Sequence, residues 1–149
     1  MRKSRKLLLS MALIASLSTS GIVSAYTVAD QGVMYGEPSS TTVTVSFGDK
    51  SALFQPSSEQ IEQLGAVREA SMIIINGRTS TDIPSSKDEY LAFTRAAAAR
   101  AWLIARGVSP LKIMINYASA ADYMTENVTP EGRFLNQRVE IEVIFVPKI

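Results

Sequence analysis

Cysteine and histidine are absent from all 149 residues. Without them no Ser-His-Asp or Cys-His nucleophile can be assembled, no thiolate or imidazole can ligate a metal, and no disulfide can staple the fold. Net charge is nearly absent too, with 15 Lys and Arg against 14 Asp and Glu. A nucleic-acid binder carries a clustered basic footprint, so that class is set aside. Beyond residue 25 no stretch approaches the run of about 20 apolar residues that a membrane helix needs. With 46% hydrophobic residues over this length, the composition describes one globular domain. Carboxylate chemistry or plain binding remains, and neither requires a cofactor. A glycosidase pair must flank a cleft at a defined separation, and no two acids here have that support. A non-catalytic protein is expected.

The positive charges are unevenly placed. Arg2, Lys3, Arg5 and Lys6 crowd the start, and no acid appears before Asp30. An apolar run from Leu7 to Leu17 follows, broken by Ser10 and Ser16, and a more polar stretch ends in Val23, Ser24 and Ala25. A basic start, a short apolar segment and a small-x-small ending describe a secretory signal peptide over residues 1–25, cleaved after Ala25. The remainder holds 11 basic against 14 acidic groups, a net charge of −3, and no transmembrane segment.

Residues 26–42 contain Gly32, Gly36, Pro38 and four consecutive Ser or Thr with no sustained period, the composition of a flexible leader. The folded domain is expected over residues 43–149. Val43, Val45 and Phe47 alternate with Thr44 and Ser46 as a half-buried strand. Ser57 and Gln60 have capping-box spacing and open a helix running to near Ala70, with Ile61, Leu64 and Val67 on one face. Met72 to Ile75 is a continuous apolar run of strand length, as expected for a central strand. After a polar loop over 77–86, Ser86 and Glu89 form a second capping pair. The helix they open runs to about Arg106, where Gly107 and Pro110 stop it. Leu91, Ala98, Trp102 and Ala105 are assigned its core stripe. Leu111, Ile113 and Ile115 make a third strand. A long polar connection from Ser119 to Gln137 precedes the last one, at Val139, Ile141, Val143 and Phe145. The order β-α-β-α-β-loop-β predicts an α/β sandwich with two helices packed on one face of a mixed sheet.

Three blocks within this pattern carry a resemblance. The first runs from Phe47 to Pro56, a strand end and a Ser-Ala-x-x-x-Pro turn into a helix. The second is Asn76-Gly77-Arg78-Thr79, followed at a set distance by Leu91 and Arg95-Ala96. The third runs from Asn127 through Thr129, Gly132, Arg133, Asn136 and Arg138 to Glu140. In this order they resemble the OmpA-like peptidoglycan-binding domains of bacterial envelopes, over about residues 43–146. The resemblance implies a periplasmic, outer-membrane-associated domain that binds the peptidoglycan stem peptide at diaminopimelate without catalysis. That ligand group presents an ammonium and a carboxylate on one carbon. An acid suits the first, and an arginine suits the second because a guanidinium can make two parallel bonds to a carboxylate.

Arg95 matches the family arginine. The family acid does not match, because its position holds Ser80, which can accept a hydrogen bond but brings no charge. Asp82, two residues on, and Asp88, two helical turns before Arg95, are the acids that could replace it. The expected ligand-binding set is therefore Arg95, Asp88, Asp82, Thr79 and Ser80, a degenerate version of the family site. Each has a plainer role available: Arg95 suits an ordinary surface or interhelical arginine with its stem along Leu91, Asp88 the first turn of a helix, Asp82 a turn, and Thr79 and Ser80 a loop. The alternative is a structural or assembly subunit of an envelope machine, such as a pilus, secretion or conjugation apparatus. Its surface would meet other envelope-complex proteins and not peptidoglycan.

Overall fold

The computed structural model describes residues 26–28 and 34–148, so the expected signal segment lies outside the described residues. Strand β1 (Tyr26–Val28) pairs antiparallel with β2 (Met34–Gly36). Strands β3 (Ser39–Ser46), β4 (Met72–Arg78), β5 (Ile113–Ala118) and β6 (Arg138–Phe145) form a second sheet in the order β3-β6-β4-β5. β4 and β5 are parallel and the other neighbours antiparallel, which makes the sheet mixed. Helices α1 (Ser58–Gln63), α2 (Ser86–Ala105) and α3 (Pro130–Asn136) complete the fold.

Period-two patterning decides which face of the sheet is covered. Val43, Val45, Ile73, Ile75, Val139, Ile141 and Val143 are buried against Ala96, Ala99 and Leu103 of α2, with Phe54, Leu64 and Val67 closing the core beside α1. The intervening Thr42, Thr44, Asn76, Glu140 and Glu142 form the opposite face, more open to water. This is the α/β sandwich on a mixed sheet that the sequence predicts. β4 and β5 end, and β6 begins, at one end of the molecule. There they meet the loops over 48–57, 79–85 and 119–129 and the short α3. We call this the loop end; α2 starts there and runs to the opposite end.

Several details differ from expectation. The connection before the last strand contains a third helix, α3. Thr129 caps it by accepting from the Gly132 amide at 3.0 Å, and Pro130 occupies its first turn. That cap signal is legible, but a seven-residue helix containing a glycine and set in a polar connection shows no apolar period. α1 ends at Gln63, because Leu64 and Gly65 break it and Val67–Glu69 form a separate 3-10 turn. The cap of α2 is Ser85, not Ser86: its hydroxyl accepts from the Asp88 amide at 3.1 Å and donates to the Asp88 carboxylate at 2.5 Å. The buried face of α2 is Ala92, Arg95, Ala96, Ala99 and Leu103, while Leu91, Ala98 and Trp102 sit at its margin and Ala105 is exposed. β3 takes in residues 39–42 of the expected leader, which also supplies β1 and β2. Pro110–Lys112 form a 3-10 turn that moves the start of β5 to Ile113. Among the described residues no helix is long and apolar enough to cross a membrane.

Candidate functional site

Three arginines converge under the loop end, and all three are buried: Arg78 closing β4, Arg95 on α2 and Arg138 opening β6. A guanidinium offers five N–H donors and no acceptor, so burial is tolerable only where acceptors surround it. For Arg95, at 0% exposure, the acceptors are mostly backbone carbonyls. Nε donates to the Ser51 carbonyl at 2.8 Å and Nη1 to the Arg78 carbonyl at 3.1 Å. Nη2 donates to the Gly48 carbonyl at 3.2 Å and to Gln137 Oε1 at 3.0 Å. The guanidinium carbon lies 5.2 Å from the centre of the Phe47 ring. Gln137 relays the charge outward, donating from Nε2 to the Asp49 carboxylate at 2.8 Å. Burial pulls the Arg95 pKa down to about 10, with Asp49 offsetting part of the shift, so the group stays cationic at neutral pH.

Arg78 donates from Nε and Nη2 to one Asp122 oxygen, at 3.0 and 2.8 Å, and from Nη1 to the Gly77 carbonyl. Arg138 pairs with Glu140 at 2.7 Å and donates to the carbonyls of Asn136 and Asp122. Buried Asn136 closes the connection: its Oδ1 accepts from the amides of Met124 and Thr125, and its Nδ2 donates to the Thr125 carbonyl and to Asn127 Oδ1. Asn127 in turn donates to the Ser80 carbonyl and to Asp82 Oδ1, the latter at 2.8 Å. The loop end is thus one hydrogen-bonded unit built on fixed cations. Asp122 is a weaker tie than Glu140, because its side chain is 65% exposed against 25%. Asp122→Asn is expected to lower stability by about 1 kcal/mol, a value discounted for solvent screening. Urea unfolding with and without added salt checks it, the difference from wild type shrinking as salt rises.

The expected ligand set does not gather into one pocket. Arg95 faces inward, and Thr79 is buried with its hydroxyl unpartnered. Ser80 gives its carbonyl to Asn127. Asp82 is exposed and held by Asn127. Asp88 caps α2 through Ser85 and borders an open groove of about 520 Å³ lined by Lys50, Ala52, Lys87, Tyr90, Leu91 and Thr94. Neither acid bonds to Arg95; its charged neighbour is Asp49, reached through Gln137. Asp49, Gln137, Arg78 and Asp122 are the partners that sequence reasoning missed. Gln137 and Asp49 lie 88 positions apart, and no local period could join them. Among the described residues no cluster of three His, Cys, Asp or Glu could hold a metal ion.

Residues 46–137 match the sequence pattern of the OmpA family. A Brucella suis protein named as a type IV secretion system outer membrane lipoprotein is 38% identical over 109 residues, 72% of this chain. The chain covers 63% of that relative's length. The 149 residues here contain no cysteine to carry the lipid in that name. Among solved structures, the OmpA-like domain of FopA1 from Francisella tularensis superposes with a TM-score of 0.57 at 18% identity, covering 85% of this chain and 82% of that one. The cell wall anchor of the type VI secretion system from Pseudomonas aeruginosa superposes with a TM-score of 0.55 at 21% identity, covering 83% of this chain and 88% of that one. At such identities these two speak for the fold alone.

Proposed function

The chain belongs to the OmpA family, and from that membership we propose that it is a non-catalytic periplasmic protein, exported by cleavage after Ala25, that serves as a structural subunit of a secretion-type envelope apparatus. Its degenerate family site holds the loop end together in place of a ligand. One observation carries this reading: the guanidinium at the family's carboxylate-binding position is fully buried and already bonded to Ser51, Arg78, Gly48 and Gln137. A stem-peptide carboxylate would have to displace backbone carbonyls to reach it. Removing such a carbonyl from its donor without replacement costs about 1–3 kcal/mol. The type IV secretion name of the 38% identical Brucella relative supports the choice of apparatus.

The expected result is that purified diaminopimelate-type sacculi do not retain the wild-type chain in a pull-down, and that Ser80→Asp does not restore retention. Affinity purification from the native envelope brings down components of the apparatus. A chain that behaves as a lone monomer with no specific partner contradicts the proposal.

Peptidoglycan binding is the second reading, and the groove beside Asp88 favours it. Lys50 and Lys87 stand there with Asp88 over a largely apolar floor. A ligand carrying both an ammonium and a carboxylate finds both counter-charges in that groove. Retention of the wild type by sacculi, lost in Asp88→Asn, would move the function to that site.

A further inference from the structure

Edge strands expose unpaired N–H and C=O groups, and proteins blunt them with charges, prolines, bulges or covering elements. The two edges of this sheet are treated differently. Beside β3 stands α1, where Gln60 Nε2 donates to the Thr44 carbonyl at 2.6 Å. Among the described residues β5 has no neighbour on its outer side. Its sequence, Ile-Met-Ile-Asn-Tyr-Ala, contains no charge and no proline, and its register with β4 runs unbroken from Ile113 to Ala118. Lys112, the nearest cation in the chain, is turned back onto the carbonyls of Arg68 and Ala70.

Beside this edge lies a groove of about 280 Å³ lined by Ser86, Glu89, Tyr90, Phe93 and Tyr117. Phe93 and Tyr117 meet edge to face at 5.3 Å, and Tyr90 continues the aromatic wall at 6.4 Å from Phe93. Tyr90 is 69% exposed, Tyr117 47% and Met114, further down the strand, 57%. Arg100 lies seven residues after Phe93, on the same flank of α2. It is half-buried and makes no ion pair among the described residues. Seven helical residues rise about 10 Å, as do three strand residues, so Arg100 stands level with Met114 and Ile115 at mid-strand.

We propose that the outer edge of β5 docks an extended segment of a partner protein. The segment adds a strand to the sheet, places an apolar or aromatic side chain in the Tyr90–Phe93–Tyr117 groove and sets an acidic one against Arg100. Main-chain pairing supplies affinity in strand addition, and side-chain pockets supply specificity. Arg100 decides against a second copy of this chain as the occupant. A twofold pairing of β5 with itself superposes the strand midpoints and brings two unpaired guanidiniums together across the axis. The proposal rests on the reading of the chain as an assembly subunit and names the surface it uses. Side chains on one face of a strand recur every second residue. The apolar and acidic residues of the partner therefore lie two or four positions apart, never three.

The test uses threonine-rich strand peptides of about eight residues, each with one phenylalanine and one glutamate, titrated against the chain by fluorescence anisotropy and amide NMR. Peptides with the two residues two or four apart are expected to bind with a dissociation constant of order 10–100 μM and to shift the amides of β5. Spacing of three, or lysine in place of glutamate, weakens binding at least ~10-fold. Arg100→Glu reverses the preference toward the lysine peptide. Met114→Lys, at an exposed position whose folding is checked by thermal melting, abolishes binding of every peptide. The proposal is overturned if no peptide binds below millimolar concentration or if binding ignores the spacing. A wild-type dimer that Met114→Lys dissolves would also overturn it. Envelope purification separates the two readings. If Met114→Lys still recovers the partners of the wild type, the edge is not the docking site and the assembly reading stands. If the wild type recovers none, the assembly reading falls and the peptides alone decide the edge.

Discussion

Replacing Arg95 with alanine is expected to destabilise the domain by about 4 kcal/mol, the size of effect expected when several buried acceptors lose the donor they share. For a domain of about 100 residues that lowers the melting temperature by on the order of 15–20 °C. The substitution leaves three backbone carbonyls, those of Gly48, Ser51 and Arg78, without the donor that gathers them. It also frees Gln137, which is buried and whose other end holds Asp49. Each orphaned acceptor costs part of its desolvation energy, and the space vacated beneath Phe47 adds a cavity term. Arg95→Lys keeps the charge but loses the planar fork, so one ammonium cannot reach the carbonyls of Gly48, Ser51 and Arg78 and the Gln137 side chain together; about half the stability loss returns. Arg106→Ala is the contrasting case. Its guanidinium stacks 3.4 Å from the centre of the Trp102 ring, but at an exposed position, and its loss costs about 0.5–1 kcal/mol. Differential scanning calorimetry of the three variants ranks them. Near-wild-type stability of Arg95→Ala would show that the arginine is not the keystone of the loop end and would return it to a ligand-facing role.

The fold was legible wherever one face of an element is wet. Val43 and Val45, and Val139, Ile141 and Val143, alternate with polar residues, and the period fixes both strand and face. α2 was legible from its length and its stop at Gly107, but its buried face was not. That face consists of Ala92, Ala96, Ala99 and Leu103 around a charged Arg95. Alanines carry little hydrophobic contrast, and an arginine at the centre inverts the expected sign. The candidate site shows the same limit more sharply. Arg95 could be singled out by its family motif, but whether its guanidinium turns outward to a ligand or inward to carbonyls depends on Ser51, Arg78 and Gln137. Those residues come from three separate segments, and only tertiary structure brings them to one point. The edge of β5 has the reverse character. Its lack of charge is plain in the sequence, and its meaning appears only once β5 is seen at the margin of the sheet.

Gly77→Ala is expected to cost at least ~3 kcal/mol, at the upper end of overpacking substitutions, because the close approach of α2 to β4 at this point leaves no room for a methyl group. A Cβ at Gly77 would overlap the Ala92 carbonyl oxygen, stand 3.0 Å from the Ala92 carbonyl carbon and 3.1 Å from the Ala96 Cβ. The main obstacle is helix backbone, which cannot rotate away as a side chain can. α2 would have to lift from β4, opening the layer that holds Ile73, Ile75, Ala99 and Leu103. Removing the Ala96 methyl in a Gly77→Ala, Ala96→Gly double variant relieves the softer contact alone and places a glycine in a helix interior, itself about 1 kcal/mol unfavourable. The double variant is therefore expected to be no more stable than the single one. Gly48→Ala is the control: its nearest neighbour would be the Ser51 Cβ at 4.0 Å, and the change should be close to neutral. Gly107→Ala falls between them, at about 1 kcal/mol, for a different reason: φ is +87° and the cost is backbone strain. Chemical denaturation of the four variants gives the order. If Gly77→Ala were as mild as Gly48→Ala, α2 would have to sit farther from β4 than these contacts place it, and Arg95, carried on the same helix, could not reach the carbonyls of Gly48 and Ser51.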